Sequence, residues 1–468
     1  MAESKNTYLK AGIWYTVGNI LIKGVSFIAL PIFTRLLSPD DFGKYNIFMS
    51  YESILAVVLG MGFSGTIKIA YFDFKGRFKD YFSSILSLTV IATLLFDILS
   101  VIGYLFFKFF LGEIWTPGLI QLLIFASLGT AIYNLISVKY VIYAEYKENL
   151  AISFIYTISN VLLSIILCYT LFSVERYLAR IVGYTLPIML ISYVIALLNI
   201  VRSKVVYNKE YWLYALKLGS PLIIHSLAMT LLVQIGKIMI NSLCGDAETG
   251  IYSVGATIAG ILTVVLGSFD NAWAPWFYHG LDEGKYAQIV KGNNRITLVF
   301  AIICSCFMLV SPEMIMMMTT TEYYEAIYSL VPLVVAVFIN FMYLFAVNQE
   351  YFYKKTTTIA IGTVVATFCG VALNYYLIPI YGYITAAYIN CVSNLILFTI
   401  HNIIVYRWRK PKVVNLYFLF TLLFLTSAVG GFSIFLREYI FIRYIVVVVL
   451  CTPLFRYCRL YLIKKIKK

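Results

Sequence analysis

The sequence predicts an all-α polytopic membrane protein with about 14 transmembrane helices in two parallel pseudo-symmetric bundles around a central cleft. Three observations lead to this fold class. Hydrophobic residues make up 61% of the chain and charged residues only 12%, which lies far outside the soluble globular range. The apolar residues fall into blocks that each supply the roughly 20 residues a helix needs to cross a bilayer. One half of the chain also repeats the other.

The apolar blocks are the predicted spans, taken in chain order. They lie near residues 11–33, 44–70, 83–110, 118–143, 150–172, 177–200, 219–243, 249–279, 293–319, 325–353, 356–378, 381–406, 414–436 and 439–462. The longest cytoplasmic connection is the basic and aromatic segment 201–218, which we take as the boundary between lobes. The predicted domains are an N-terminal lobe over 1–205 (spans 1–6), a C-terminal lobe over 206–412 (spans 7–12), and an appendage over 413–468 with spans 13–14 and a basic cytoplasmic tail.

The internal repeat explains why two bundles are expected. Residues 10–71 and 217–278 match without a gap at a single offset (217 − 10 = 207), and ILAVVLG at 54–60 recurs as ILTVVLG at 261–267. Six spans separate the first helix of each copy, and because six is even, the two lobes face the same way across the membrane. An internally duplicated membrane protein is first of all a transporter candidate.

The distribution of lysine and arginine predicts the topology. With the N-terminus inside, the cytoplasmic segments hold 26 of the 36 basic residues and the opposite loops hold 7. Those seven are Arg35, Lys44, Lys108, Arg176, Arg180, Arg437 and Arg443. The asymmetry predicts that both termini are cytoplasmic. It also accounts for the net charge of +14 without a nucleic-acid partner, because a basic cytoplasmic face meets anionic lipid.

Three stretches of sequence carry a family resemblance. Residues 12–18 read GIWYTVG and residues 30–45 read LPIFTRLLSPDDFGKY, while residues 373–387 read LNYYLIPIYGYITAA. In these stretches the chain resembles Wzx-type flippases, the O-antigen and capsule repeat-unit transporters of the multidrug/oligosaccharidyl-lipid/polysaccharide exporter superfamily. The resemblance covers most of the chain.

The resemblance implies a substrate and a location. It implies that an undecaprenyl-pyrophosphate-linked oligosaccharide moves from the cytoplasmic to the outer leaflet of a bacterial inner membrane by alternating access, for O-antigen or capsule synthesis. Membrane lipids, a coupling H⁺ or Na⁺ and polysaccharide assembly proteins are the implied partners, and no cofactor or metal is expected. A pyrophosphate and its sugars need a wet, basic and hydrogen-bonding path, because unpaired charge and unsatisfied hydroxyls are costly in hydrocarbon.

Charged residues inside the spans are the first candidates for that path. The six that lie well inside are Lys23, Glu52, Lys68, Asp97, Lys237 and Asp270. An ionised side chain at the centre of a span costs about 2.5–3.5 kcal/mol on insertion scales, so each needs a polar cavity or a partner. Lys23 shares a helix face with Asn19, and Lys237 shares one with Gln234 and Asn241. We therefore predict one pyrophosphate-binding lysine in each lobe, with these amides as the cleft wall.

Structural ion pairing is the alternative for the same charges. Lys23 and Glu52 would sit at similar depths, as would Asp97 and Lys237, so they could pair between helices. Asp97, Glu52 and Asp270 are also candidates for ion coupling, since a desolvated carboxyl group can take up a proton. The asparagines Asn340 and Asn390 are candidates for contact with sugar hydroxyls, although polar residues also hold helices together.

Enzymatic functions fit the sequence less well. The chain contains no G-x-x-x-x-G-K-[ST] motif, which argues against a nucleotide-driven pump. A membrane polysaccharide polymerase would be expected to carry a large extramembrane loop with catalytic residues, and the outer loops here are short. A multidrug or organic-cation antiporter on the same two-lobe plan is the closer alternative. A cationic drug would not need lysines in its cleft.

Overall fold

The computed structural model describes residues 24, 25, 27–107, 115–408 and 411–452. Within these ranges the chain is built from helices, one of which is a short 3₁₀ turn at Thr321–Tyr323. The α-helices are Phe27–Leu36 (α1), Pro39–Leu59 (α2), Phe63–Asp73 (α3), Phe78–Phe107 (α4), Pro117–Ile142 (α5), Tyr146–Tyr169 (α6), Arg176–Ser203 (α7), Lys209–Leu243 (α8), Asp246–Asp282 (α9), Tyr286–Met318 (α10), Ala326–Phe352 (α11), Thr356–Tyr381 (α12), Thr385–Arg407 (α13), Leu416–Phe435 (α14) and Ile440–Thr452 (α15).

The helices confirm an all-α polytopic membrane protein. Twelve helical segments in the described ranges are long and apolar enough to cross a membrane, and they correspond to the second to thirteenth predicted spans. The first and last predicted spans are described only in part, as the shorter apolar helices α1 and α15. Helix starts follow the sequence: Ser38 caps α2 with its side chain on the Asp41 amide, and Pro39 occupies the first turn.

The second predicted span is broken rather than continuous. α2 ends at Leu59 and α3 begins at Phe63, with Met61 and Gly62 both at positive φ, 45° and 67°. Glycine takes this conformation without the steric penalty that a Cβ imposes. A Cβ at Gly62 would also lie 2.7 Å from the carbonyl oxygen of Gly219 on α8, so the backbone passes close there. The apolar pattern of residues 44–70 did not predict this break because hydropathy does not report backbone dihedral angles.

Contacts divide the chain into two compact units, residues 1–234 and 235–468. The division lies inside α8, and the predicted domain limits at 205/206 and 412/413 stay predictions. In the first unit, α5 packs against α2, α3, α4 and α7, and α6 packs along α7. An aromatic cluster of Phe74, Phe78, Tyr81, Tyr211 and Tyr214 closes the α3–α4 end. Tyr214 donates to the Asp73 carboxylate at 2.6 Å, and burial together with that carboxylate raises the pKa of Tyr214.

In the second unit, α11 is the central helix. It packs against α9, α10, α13 and α14, and α12 packs on α13. Most residues of α11 are buried, including polar ones near its end such as Asn348, Gln349 and Glu350. A membrane helix surrounded by other helices can carry polar side chains only where they are hydrogen-bonded. The buried polar residues of α11 are therefore candidates for function in this unit.

Candidate functional site

The structure describes one of the two predicted lysines. Lys23 and Asn19 lie outside the described residues. Lys237 is half-buried on α8. Within its own unit, the described part of the chain gives Lys237 no ion pair with a carboxylate. An ammonium group in a span without a carboxylate beside it is costly, and such residues are functional candidates by default.

The two amides predicted beside Lys237 have partners in the structure. The Ser50 hydroxyl of α2 lies 3.2 Å from Gln234 Oε1, so Gln234 connects α8 to α2. Asn241 Nδ2 donates to Asp246 Oδ1 at 2.5 Å, which connects the end of α8 to the first turn of α9. These contacts hold helices together. Whether the same amides also line a substrate path stays a prediction.

Glu52 is a carboxyl group enclosed in the first unit. It lies on α2 with 1% of its surface exposed, near Thr130 of α5 and Tyr184 of α7. Its Oε1 atom makes no hydrogen bond to another described residue. The predicted partner Lys23 lies outside the described residues, so that pairing is untested. A buried carboxyl oxygen without a donor is expensive, which makes Glu52 a candidate for function rather than packing.

Arg180 is a site residue that the sequence analysis placed in an outer loop. The structure puts it in the second turn of α7, a helix long and apolar enough to cross a membrane, as the predicted span at 177–200 implies. Its Nη1 donates to Asn160 Oδ1 and to Ser164 Oγ, the latter at 2.9 Å. Its guanidinium carbon lies 4.0 Å from the ring centroid of Phe33 and 4.7 Å from that of Tyr45. The start of the apolar block at 177 was the signal that could have identified it.

Several N–H groups of the Arg180 guanidinium have no hydrogen-bond acceptor among the described residues. Arginine carries five N–H groups in a fixed fork, and in the described part of the chain only Nη1 is hydrogen-bonded. Two aromatic faces hold the plane of the group, each such contact contributing on the order of 0.5–2 kcal/mol. Arg180 is therefore a pre-oriented cation with Nε and Nη2 available to an anion.

Three tyrosines lie near Arg180 and Glu52. The ring of Tyr45 on α2 lies under the Arg180 guanidinium, and Glu52 is nearby on the same helix. Tyr156 of α6 and Tyr184 of α7 lie edge to face with ring centroids 6.0 Å apart, and both lie near Glu52. We call Glu52, Arg180, Tyr45, Tyr156 and Tyr184 the first-unit site. It combines one cation, one carboxyl group and three phenols, which are groups suited to phosphate and sugar hydroxyls.

A run of amides connects α11 to α13 in the second unit. Asn340 Nδ2 donates to Asn394 Oδ1 at 3.1 Å, and Asn394 Nδ2 donates to Asn390 Oδ1 at 2.8 Å. The structure thus brings the two predicted sugar-contacting residues, Asn340 and Asn390, into one hydrogen-bonded run through Asn394. The contacts are of the kind that hold membrane helices together, and a sugar-binding role stays a prediction.

Asp270 belongs to a second polar group, further along α11. Asn348 Nδ2 donates to Asp270 Oδ1 at 3.0 Å, and Tyr278 donates its hydroxyl to Asn348 Oδ1 at 2.6 Å. Two residues beyond Asn348, Glu350 meets His401 of α13 in a fully buried contact. The sequence analysis did not count Glu350 among the intramembrane charges because it lies near the end of its apolar block.

Asp97 has a different environment. It is half-buried on α4, and its Oδ1 makes no hydrogen bond to another described residue. Neighbouring side chains on the same helix are exposed, with Leu95 at 59% and Leu99 at 66%. The coupling role of Asp97 stays a prediction. Across the described residues, no cluster of three or more His, Cys, Asp or Glu could hold a metal ion.

Comparison with known proteins identifies the family. A family model described as "Polysaccharide biosynthesis protein" matches residues 8–280, more than half of the chain. A curated relative, capsular polysaccharide biosynthesis protein CapF of Staphylococcus aureus, is 24% identical over 403 residues, with 81% of this chain and 94% of the relative covered.

Solved structures show the fold. The lipid II flippase MurJ in an inward closed conformation superimposes with a TM-score of 0.72 at 12% identity, covering 94% of this chain and 97% of that one. An inward-facing multidrug resistance MATE family transporter of the MOP superfamily gives a TM-score of 0.61 at 16% identity, covering 84% and 99%. The fold is therefore that of these solved helical transporters. This chain belongs to the polysaccharide biosynthesis protein family.

Proposed function

We propose that this multi-pass membrane protein flips an undecaprenyl-pyrophosphate-linked oligosaccharide repeat unit from the cytoplasmic to the outer leaflet of the bacterial inner membrane. The two lobes would alternate between inward-open and outward-open states, and the product would be a surface polysaccharide such as O-antigen or capsule. The family description, a relative named for capsular polysaccharide biosynthesis and a structural neighbour titled a lipid II flippase all support a lipid-linked glycan as substrate.

The observation that carries this proposal is Arg180. Its guanidinium is held between two aromatic rings inside a span, with Nε and Nη2 unbonded among the described residues. Arginine matches phosphate oxygens in a bidentate geometry, and a cation in a span needs an anion or water to offset its desolvation. A pyrophosphate group supplies that anion. Lys237, which has no carboxylate partner among the described residues of its own unit, is the proposed substrate cation of the second unit.

The remaining polar residues fit the sugar portion. Tyr156 and Tyr184 offer hydroxyl groups and flat apolar faces close to Arg180, a combination that suits sugar rings. In the second unit Asn340 and Asn390 offer amides on α11 and α13. The lipid tail needs no such groups, because it can stay in the surrounding hydrocarbon.

A multidrug or organic-cation antiporter remains the alternative, since the fold is shared with a MATE transporter. The charges argue against it. Like charges placed together disfavour binding, so a site that contains Arg180 disfavours a cationic drug. We also propose that both termini are cytoplasmic, because the predicted inner segments hold 26 of the 36 basic residues.

The test is reconstitution of the purified protein in liposomes with an undecaprenyl-pyrophosphate-linked repeat unit. Flipping is measured by access of an impermeant glycosidase to the glycan. We expect the wild type to flip the glycan lipid and not to transport ethidium. Arg180→Gln and Lys237→Ala should each lower the flipping rate about tenfold to hundredfold, the equivalent of one charged hydrogen bond of about 1.5–3 kcal/mol. Arg180→Lys and Lys237→Arg should retain most of the rate.

Arg176→Gln is the matched control. Arg176 lies one turn before Arg180 on α7 but donates to the carbonyl oxygens of Leu36 and Ser173, at 2.8 and 3.2 Å. It should flip at the wild-type rate. Ethidium transport without glycan flipping by the wild type would overturn the proposed function in favour of the drug antiporter. Equal rates for Arg180→Gln and Arg176→Gln would remove Arg180 from the site.

A further inference from the structure

Glu350 and His401 form a fully buried pair in the second unit. Both side chains have 0% of their surface exposed, and His401 Nδ1 lies 2.6 Å from Glu350 Oε1. Glu350 is near the end of α11 and His401 is in the second half of α13. The proposed substrate contacts use neither residue. Two titratable groups enclosed in a membrane helix bundle are costly unless protonation can neutralise them.

Thr358 on α12 makes both protonation states of Glu350 compatible with the site. Its Oγ1 lies 2.7 Å from the Lys355 carbonyl oxygen and 3.1 Å from Glu350 Oε2. A hydroxyl group has one hydrogen and two lone pairs. When that hydrogen goes to Lys355, Oγ1 can accept from a protonated Oε2. When the hydroxyl rotates, it donates to an ionised Oε2.

The location of the incoming proton follows from the hydrogen bonds of His401. With Nδ1–H donating to an ionised Glu350, the pair carries a net charge of −1 in a closed apolar setting. His401 Nε2 has no hydrogen-bond partner among the described residues, so a proton there would be buried without an acceptor, at a cost of about 1–3 kcal/mol or more. A proton on Glu350 Oε2 meets Thr358 and makes the pair neutral. A proton on the carboxyl group thus has a hydrogen-bond partner in Thr358, which a proton on His401 Nε2 lacks among the described residues.

Among the described residues, no lysine or arginine forms an ion pair with Glu350. The nearest lysines in the chain, Lys354 and Lys355, are exposed, and Lys355 Nζ lies over the ring of Trp408, as Lys412 Nζ lies over that of Tyr406. Tyr343 and Tyr351 of α11 lie near Glu350, and Asp270 of α9 lies near Tyr351. α14 carries no charged residue, and those of α10 are Glu313, which binds Arg443, and the exposed Lys291 and Arg295. Without a described cation beside it, an ionised Glu350 can be neutralised by a proton.

We infer that Glu350 and His401 are the proton-binding site through which a proton gradient drives the transport cycle. The inference rests on the proposed flippase function. In each cycle one proton would pass from water to Glu350 Oε2 while the site is open to one side and leave when it is open to the other. No covalent bond other than O–H forms or breaks. The pair lies beside the α11–α12 connection, which the charge distribution predicts to be cytoplasmic.

The test compares leaflet distributions of the undecaprenyl-pyrophosphate-linked repeat unit in proteoliposomes, with and without a pH difference. For one proton per cycle, one pH unit should shift the wild-type steady-state distribution about tenfold. Glu350→Gln, which mimics the neutral form, should still equilibrate the lipid but give the same distribution with and without the gradient. Glu325→Gln is the control, because it makes the same exchange at an exposed position at the opposite end of α11, where Glu325 accepts from Tyr383. It should respond as the wild type does.

The outcomes separate this inference from the proposed function. A wild-type protein that flips the lipid but ignores the pH gradient overturns the coupling site and leaves the flippase intact. A Glu350→Gln protein that responds like the wild type also overturns it. Absence of flipping by the wild type at any pH overturns both. If Glu350→Gln does not fold, Thr358→Val decides: a weakened response supports a protonated Oε2 that needs this acceptor, and an unchanged response counts against it.

Discussion

The Glu313–Arg443 ion pair should stabilise the second unit without taking part in transport. Arg443 at the start of α15 has 1% of its surface exposed. Its Nη1 and Nη2 form a double contact with the Glu313 carboxylate of α10, and its N–H groups also reach the carbonyl oxygens of Leu309, Leu436 and Arg437 at 2.6–3.0 Å. In contrast to Arg180, this guanidinium donates from all three nitrogens. It has no donor group left for a substrate.

Arg443→Met removes the cation and leaves a carboxylate and three carbonyl oxygens without their donor. Removing one partner of a buried ion pair costs about 3–5 kcal/mol. The Glu313 side chain keeps 27% exposure, so water can reach it and the lower limit applies, about 3 kcal/mol. In the double variant Arg443→Met with Glu313→Gln, the unpaired charge is gone. Part of the loss should then be recovered, because the unpaired charge is gone while the three carbonyl oxygens still lack their donor.

The assay is the thermal unfolding midpoint of the purified protein in one detergent, together with glycan flipping at matched amounts of folded protein. Arg443→Met should have a clearly lower midpoint, and the double variant a midpoint between that of Arg443→Met and the wild type. Both should flip at the wild-type rate per folded molecule. An unchanged midpoint for Arg443→Met would refute the stability argument. A stable variant that does not flip would refute the assignment of the pair as structural.

Two further predictions concern packing and topology. In Gly183→Ala, the new Cβ would lie 2.3 Å from Ser164 Oγ and 2.6 Å from its Cα, so α6 and α7 must separate. The cost should be about 3 kcal/mol, visible as a lower unfolding midpoint. The control Gly431→Ala, whose Cβ meets no atom within 4 Å, should not lower the midpoint, and equal midpoints for the two variants would refute the close contact. Reporter fusions after residue 78 should read cytoplasmic and fusions after residue 246 external, and a reversed reading at either would refute the charge-based topology.

Hydropathy was sufficient to predict most of the helices. A span is defined by length and composition alone, which is why the blocks at 118–143 and 381–406 correspond closely to α5 and α13. Details that depend on a partner elsewhere in the chain could not be predicted. The break at Gly62 depends on the close approach of Gly219, and the sequence around either residue does not predict this contact.

The polar residues were harder to assign than the helices. Glu52 and Lys237 are single charges within long apolar blocks, and their type is enough to identify them as candidates. Arg180 and Glu350 lie near block ends, where composition cannot distinguish an interfacial residue from a buried one. For Asn241 the predicted spacing from Lys237 on one helix is correct, but the spacing did not predict that its amide donates to Asp246. Side-chain partners are set by the packing of several helices, and a single sequence does not report them.

The two repeats share their packing but not their chemistry. α11 begins 209 residues after α5, and α13 begins 209 residues after α7 (326 − 117 = 385 − 176 = 209). α5 packs against α7 in the first unit, and α11 packs against α13 in the second. Tyr45 and Tyr252, paired by the repeat, are both buried. At the offset of the first helices, however, Glu52 corresponds to Ala259, and the interval of the later helices pairs His401 with Ser192. The first unit thus holds Arg180 and its tyrosines, and the second holds the Glu–His pair and Lys237. Because Glu52 and His401 have no titratable counterpart at the repeat positions, we expect transport to require both units, with neither charge replaced by its counterpart.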